Sequence, residues 1–237
     1  MRQHFNLRFF SILFFCSISA VFLTFFFHAQ KTEPHIALMV GRFQPLHNGH
    51  LRDIKLMLQE NDTVIIGIGS YQLTERSKRN PFLPAERYKM LLVIAEKLKQ
   101  KPEGKEIFIV PLADIDSAAT FTEKPDNDRW ITHVLNEIKT AKLPIPTDYY
   151  TGSKEDAFFY LSYFANPEKS TGRRLHIVDR HDGEDISATK VRAAITKDFI
   201  DPTNSTFGLW KQLVPEELHL LVKEYSELAR DVLIQGN

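Results

Sequence analysis

Five short apolar runs, each followed by a stretch of helical periodicity, constrain this chain more than any other feature. The runs are HIALMV (35–40), TVIIGIG (63–69), EIFIVP (106–111), TDYYTG (147–152) and RLHIVD (174–179). Helical spacing of apolar residues marks 48–58, 84–98, 128–139, 153–164, 187–196 and 215–233. Leu51, Ile54 and Leu58 set that spacing in the first of these. Pro84 stands near the first turn of the second, and Asp128 and Ser187 are placed to cap the third and fifth. Strands that alternate with helices read as βαβ units, and such units build an α/β fold around a parallel sheet. Sheets of this kind bind ligands beyond the carboxyl ends of their strands. The loops after the strands are therefore where the chemistry is expected.

One segment lies outside this pattern. Phe9 to Phe27 is a run of 19 residues without a charge, preceded by Arg2 and Arg8. As a helix it would span roughly 28 Å, close to the hydrocarbon thickness of a bilayer. The run is longer than a usual signal-peptide core, and FHA (27–29) offers a poor cleavage site. We expect residues 1–30 to be an uncleaved membrane anchor, one N-terminal transmembrane helix, joined by a short linker at 31–34. The domain is expected over 35–200, with 201–237 as a helical extension packed on it. The single cysteine, Cys16, lies inside the apolar run. That excludes an intrachain disulfide framework, and no Cys/His cluster has zinc spacing. It also removes an exported lipoprotein, which needs a cysteine after the run. Lys+Arg and Asp+Glu both total 30, so the charge balance does not call for a nucleic acid partner. Association into a homo-oligomer is left open.

Two motifs carry chemistry. In VGRFQPLHNGH (40–50), Gly41 and Arg42 end the first strand and the first helix starts near Asn48. A helix N-terminus at such a turn offers unpaired N–H groups to an anion. His47 lies just before the helix and His50 in its first turn, so both can face one side. Their imidazoles can donate to phosphate oxygens, and Gly49 leaves room for a ligand against the backbone. In ISATKVR (186–192), Ser187 and Thr189 can present hydroxyls at another helix N-terminus, with Arg192 in the second turn. Read alone, the first motif could be two surface histidines at a cap, and the second an ordinary cap with a surface arginine. Read together they describe an anion site.

Further stretches occur in order with these two: GRFQPLHNGHL, GSYQLTERSKRNPFLPAERYKM, PLADID, RWITH, YTGSKED and ISATKVR. Together they resemble the nicotinamide-mononucleotide adenylyltransferases of the archaeal type, which in bacteria also occur fused to a Nudix domain. The resemblance covers roughly residues 35 to 215, and no Nudix box follows within this sequence. It implies a Rossmann-like, doubly wound parallel sheet, the nucleotidyltransferase fold. By motif it implies that His47 and His50 bind the ATP phosphates and stabilise the transition state, with Arg42 and Phe43 beside them. It implies that Arg192 grips the β- and γ-phosphates. Gly41, Gly49, Gly152, Ser153, Ser187 and Thr189 would complete the ATP site. Gly69 and Ser70 would pass the nucleoside, Arg79 and Asn80 would meet the mononucleotide phosphate, and Asp114 and Trp130 would hold the nicotinamide. The chain departs from the pattern in three places. The loop between Asp114 and Trp130 is longer than the compact archaeal form, Ala188 stands where the strictest late motif has a second serine, and residues 1–30 have no counterpart.

The reaction so implied joins a mononucleotide phosphate to the α-phosphorus of ATP and expels pyrophosphate, with Mg²⁺ carried by ATP. Other acceptors within the fold are nicotinate mononucleotide, phosphopantetheine or a cytidylyl transfer. A reading from a different class is a catalytically silent, membrane-tethered nucleotide-binding module. Arg2 and Arg8 would place the domain outside the cytoplasm by the positive-inside rule, whereas ATP chemistry places it inside. The cytoplasmic side is the expectation.

Overall fold

The computed structural model describes residues 34–99, 104–115, 127–152, 157, 160–161, 163–178 and 186–235, with 127 and 128 described by backbone alone. The chain divides into two units, Met1–Pro34 and His35–Asn237. The apolar run expected as a membrane anchor, 9–27, and the linker at 31–33 lie outside the described residues. Among the described residues, no helix is long and apolar enough to cross a membrane.

In the second unit the five apolar runs pair as one sheet. Its strands are β1 Ile36–Gly41, β2 Thr63–Ile68, β3 Glu106–Pro111, β4 Asp148–Thr151 and β5 Arg174–Ile177, in the spatial order β3-β2-β1-β4-β5. All four pairings are parallel. The order runs outward from β1 in both directions, which places a switch point between β1 and β4. Register then sets where the loops begin. Gly41 lies opposite Ile68, and Ile68 opposite Pro111, so three strands end in one row. The loops at 42–47, 69–83 and 112–115 start side by side.

The helices are α1 Asn48–Glu60, α2 Pro84–Lys99, α3 Asn127–Thr140, α4 Pro167–Ser170, α5 Ala188–Ile200, α6 Trp210–Leu213, α7 His219–Leu228 and α8 Arg230–Ile234, with a 3₁₀ turn at Glu216–Leu218. Residues 157, 160–161 and 163–164 are helical as well. Strand side chains alternate between two buried clusters. Ala37, Met39, Val64, Ile66 and Ile68 join residues of α1, α2, α5, α7 and α8 on one face. Ile36, Leu38, Ile65 and Tyr149 join α3, Tyr160 and Tyr163 on the other. This alternation is the period-2 rule of a strand buried on both faces. Trp210, Val214, Leu218, Val222, Tyr225 and Leu233 belong to the first cluster, so the C-terminal extension completes the main core.

Three local expectations shift. Helix α3 begins at Asn127, which puts Asp128 inside its first turn instead of at the cap. Two four-residue helices were not expected from the periodicity. One of them, α4, starts with Asn166 accepting from the Glu168 N–H at 3.0 Å and Pro167 in its first turn. The closing helix over 215–233 is broken near Ala229, whose φ of −99° and ψ of 4° end α7 and start α8. The break lets α8 turn back onto α5, where the Thr196 hydroxyl donates to the Leu233 carbonyl at 3.3 Å. Tertiary packing overrides the continuous helical pattern there.

Candidate active site

The β1–α1 turn is held from within. Phe43 is buried and adopts a left-handed φ of 50°. Its ring lies over Gly41, where a Cβ would approach it to 3.1 Å. Gln44 then ties the turn to the segment before α2. Its side-chain amide donates to the Phe82 carbonyl and accepts from the Phe82 N–H, both at 2.9 Å. The helix opens on a reciprocal cap made of two histidines. His47 Nδ1 accepts from the His50 N–H and His50 Nδ1 accepts from the His47 N–H, each at 3.4 Å. The rings stack with centroids 3.7 Å apart, and Phe43 packs on His50 at 4.8 Å. Because both Nδ1 atoms accept backbone protons, a neutral ring here carries its own proton on Nε2. The cap thus fixes the tautomer that presents two N–H donors at a helix N-terminus. Gly49 was expected to leave room for a ligand. The structure places the His47 ring over it, 3.1 Å from where a Cβ would stand.

The late motif meets this turn. Ser187 caps α5 by accepting from the Lys190 N–H at 3.3 Å. Arg192 donates through Nη1 to the Gln44 carbonyl at 2.7 Å and through Nη2 to the Thr189 hydroxyl at 3.2 Å. Burial, followed by the charge of Arg42, holds the Arg192 guanidinium below its ordinary pKa. Two cations raise each other's cost in this way unless an anion joins them. The Ile186 carbonyl lies 3.9 Å from the Gly49 Cβ position, so the two helix N-termini adjoin.

The loops after β2 and β3 form a second assembly. Ser70 has φ of 52°, and both its N–H and its hydroxyl donate to Asp114 Oδ1 at 3.1 Å. Gln72 donates to Asp114 Oδ2 at 3.1 Å and accepts from the Asp114 N–H at 2.9 Å. Asp114, expected to hold an acceptor, is here the link between two loops. Arg79 is exposed at the tip of a Ser77–Asn80 turn, and Asn80 is half-buried. Below that tip Arg76 grips Glu86 through two bonds of 2.9 and 2.6 Å. Trp130 is half-buried and packs edge-on to Tyr160 at 5.4 Å. Gly69 follows β2 and Gly152 follows β4, whereas Ser153 lies outside the described residues.

A family model described as cytidylyltransferase-like matches residues 38–194. A nicotinamide-nucleotide adenylyltransferase of Thermococcus sibiricus is 32% identical over 193 residues, covering 81% of this chain and 86% of that protein. The chain belongs to the cytidylyltransferase-like family, among its nicotinamide-nucleotide adenylyltransferases. The nicotinamide-nucleotide adenylyltransferase of Thermoplasma volcanium is 28% identical over 201 residues, covering 85% of this chain and 93% of that protein. Among solved structures, a bifunctional NMN adenylyltransferase/ADP ribose pyrophosphatase from Francisella tularensis aligns with a TM-score of 0.60 at 24% identity. That alignment covers 86% of this chain and 53% of the other, so this chain spans about half the length of the bifunctional enzyme, and the likeness is one of fold.

Within this adenylyltransferase frame, Arg192, bonded to Thr189, reaches the turn that carries His47 and His50 at the Gln44 carbonyl, 148 residues away in sequence. Ser70 and Asp114 come together across 44. Sequence reasoning passed over Gln44, Gln72, Arg76 and Arg87, although each lies inside a motif stretch. Arg87 is 1% exposed, and its guanidinium donates to three backbone carbonyls. Its place in the AERYKM stretch after an N-terminal proline reads as an ordinary helix surface. The signal that could have raised it is the helical spacing that sets it beside apolar Met90, Leu91 and Ile94.

Proposed function

We propose that this chain joins nicotinamide mononucleotide to ATP, giving NAD and pyrophosphate. The observation that carries the reading is the His47–His50 reciprocal cap, met by Arg192 through the Gln44 carbonyl. The mononucleotide phosphate is mostly dianionic at neutral pH, its second pKa being about 6. It needs no general base. One of its oxygens forms a bond to the α-phosphorus of ATP, the bond from that phosphorus to the β-bridging oxygen breaks, and pyrophosphate leaves with the electron pair. What the protein supplies is alignment of the two phosphates and donors for the charge that moves between oxygens. The Nε2–H groups of His47 and His50 suit the phosphate oxygens around the reacting phosphorus, and Arg192 with Arg42 suits the departing pyrophosphate.

Mg²⁺ enters this reading as part of the Mg–ATP substrate. The described residues hold no group of three or more His, Cys, Asp or Glu able to take a metal ion. The donors around the turn are imidazole and guanidinium N–H groups. A magnesium ion bound by triphosphate oxygens and waters fits such a surface. A solved structure of the Francisella tularensis bifunctional enzyme is in complex with AMP and a manganese ion. We further propose that Phe9 to Phe27 tethers the enzyme to a membrane with the catalytic domain on the cytoplasmic, ATP-rich side. A reporter fused after Asn237 reads that orientation directly.

The activity is tested by incubating the purified protein with MgATP and nicotinamide mononucleotide and following pyrophosphate and NAD together. Nicotinate mononucleotide, phosphopantetheine and a CTP-for-ATP exchange run in parallel. Equimolar NAD and pyrophosphate with the first acceptor is the expected result. Release with another acceptor alone replaces the substrate assignment, and release with none makes the chain a binding module.

A further inference from the structure

Arg87 stands in the first turn of α2, away from the phosphate-binding turn in sequence, with its guanidinium in the row where β1 and β2 end. Its Nη1 donates to the Arg42 carbonyl at 2.9 Å and to the Gly69 carbonyl at 2.7 Å, and its Nη2 donates to the Ser70 carbonyl at 3.0 Å. Arg42 opens the turn that carries His47 and His50. Gly69 and Ser70 open the loop that Asp114 holds from the other side. Burial lowers the pKa of Arg87 to about 10, so it stays charged at neutral pH. A buried cation without a carboxylate on its fork is costly unless carbonyl dipoles replace its hydration. Three carbonyls do so here, and each of them belongs to one of the two loops.

We propose that Arg87 is a positioning residue that locks the β1 loop and the β2 loop in one register, and so sets the alignment of the ATP phosphates with the incoming mononucleotide phosphate. The inference rests on the adenylyltransferase reading above. The physical argument is geometric. The two loops leave adjacent strands whose ladder fixes them only as far as Gly41 and Ile68, with one further bond from the Gly69 N–H to the Gly41 carbonyl at 2.9 Å. They meet again only toward the end of the second loop, where Gln44 pairs with the Phe82 backbone. Beyond that row Ser70 turns away with a left-handed φ of 52°, a conformation that a serine holds only when its surroundings impose it. The planar fork of Arg87 spans the gap where the ladder has stopped. A lysine keeps the charge but presents a single ammonium that cannot hold all three carbonyls in that plane.

The test uses the full-length protein and Arg87→Lys. Each loop keeps its own ligand contacts in this variant, so affinity for MgATP alone and for nicotinamide mononucleotide alone should change by less than about threefold. Turnover at saturation should fall by tenfold or more, because misplacing reacting groups by about 1 Å costs up to about 100-fold. A native circular dichroism spectrum and melting point 15 °C or more above the assay temperature make the comparison valid. A turnover within twofold of the parent overturns the proposal, and so does a loss that lies wholly in the separate affinities. A second measurement needs no variant. In the parent, a non-hydrolysable ATP analogue alone should slow hydrogen exchange at the Gly69 and Tyr71 amides in the second loop. Unchanged exchange there overturns the coupling. A parent that makes no NAD at all refutes the adenylyltransferase reading instead, which keeps the two failures apart.

Discussion

Gly49→Ala separates the stability of this site from its chemistry. Gly49 is the second residue of α1, in helical backbone, so an alanine fits its conformation. By helix propensity alone the change should stabilise by up to about 1 kcal/mol, and less in a first turn. The new methyl, however, would stand 3.1 Å from both Cε1 and Nδ1 of His47. The ring must retreat by a few tenths of an ångström. Its bond to the His50 N–H is already at 3.4 Å, so retreat gives it up, at a cost of about 0.5–1 kcal/mol for a cap. The two effects nearly cancel, and the melting temperature should stay within about 3 °C of the parent. Turnover should not stay. The ring also leans on His50 across a 3.7 Å stack, so both Nε2 donors move. Half of a 1 Å misplacement corresponds to roughly tenfold in rate. The assay is pyrophosphate release at saturating MgATP and mononucleotide, beside a thermal melt. A turnover within twofold of the parent would show that the placement of the histidine pair is not what the catalysis depends on. A melting point lowered by more than about 8 °C would show that the cap, not the chemistry, needs the glycine.

Other perturbations test neighbouring parts. His50→Ala removes half of the cap, about 1 kcal/mol, and the imidazole proposed to donate to the reacting phosphate, so turnover should fall by about 100-fold or more while the fold survives by circular dichroism. Gln44→Leu strips the buried Phe82 N–H and carbonyl of partners they hold at 2.9 Å. It should cost about 3 kcal/mol, or roughly 9 °C in a thermal melt. Asp148 gives a pH signature. Burial alone would raise its pKa, but hydrogen bonds from Arg174, Thr147 and His176 outweigh burial and hold it below the ordinary 3.8. A carboxylate whose folded pKa is depressed contributes stability that is present above the unfolded value and lost as pH falls through the folded one. Urea midpoints should therefore decline as pH drops below about 3.8, and Asp148→Asn should flatten that decline.

Much of this molecule can be read from local runs of residues, for a physical reason. The central strands β1 and β2 are buried on both faces and are therefore almost wholly apolar. The edge strands β3 and β5 are only partly covered and tolerate Glu106, Arg174 and His176. All five runs still show in the sequence, and the crossover helices between them leave a parallel sheet as the way to bury both faces. The cap at His47 and His50 is also local, since its donors and acceptors lie three residues apart. Ser187 at the start of α5 is legible on the same ground. The tertiary structure alone decided how these pieces are held. Arg192 reaches the carbonyl of Gln44, Arg87 reaches those of Arg42, Gly69 and Ser70, and Gln44 pairs with the backbone of Phe82. A backbone carbonyl is the same group at every position, so a side chain that seeks one leaves no matching residue elsewhere in the sequence to betray it. The break at Ala229 has the same origin, because the apolar pattern continues through it and only the fit of α8 on α5 requires the turn. The residues proposed to hold the phosphates lie in short motifs. The contacts that hold the loops carrying them run to backbone that no motif records.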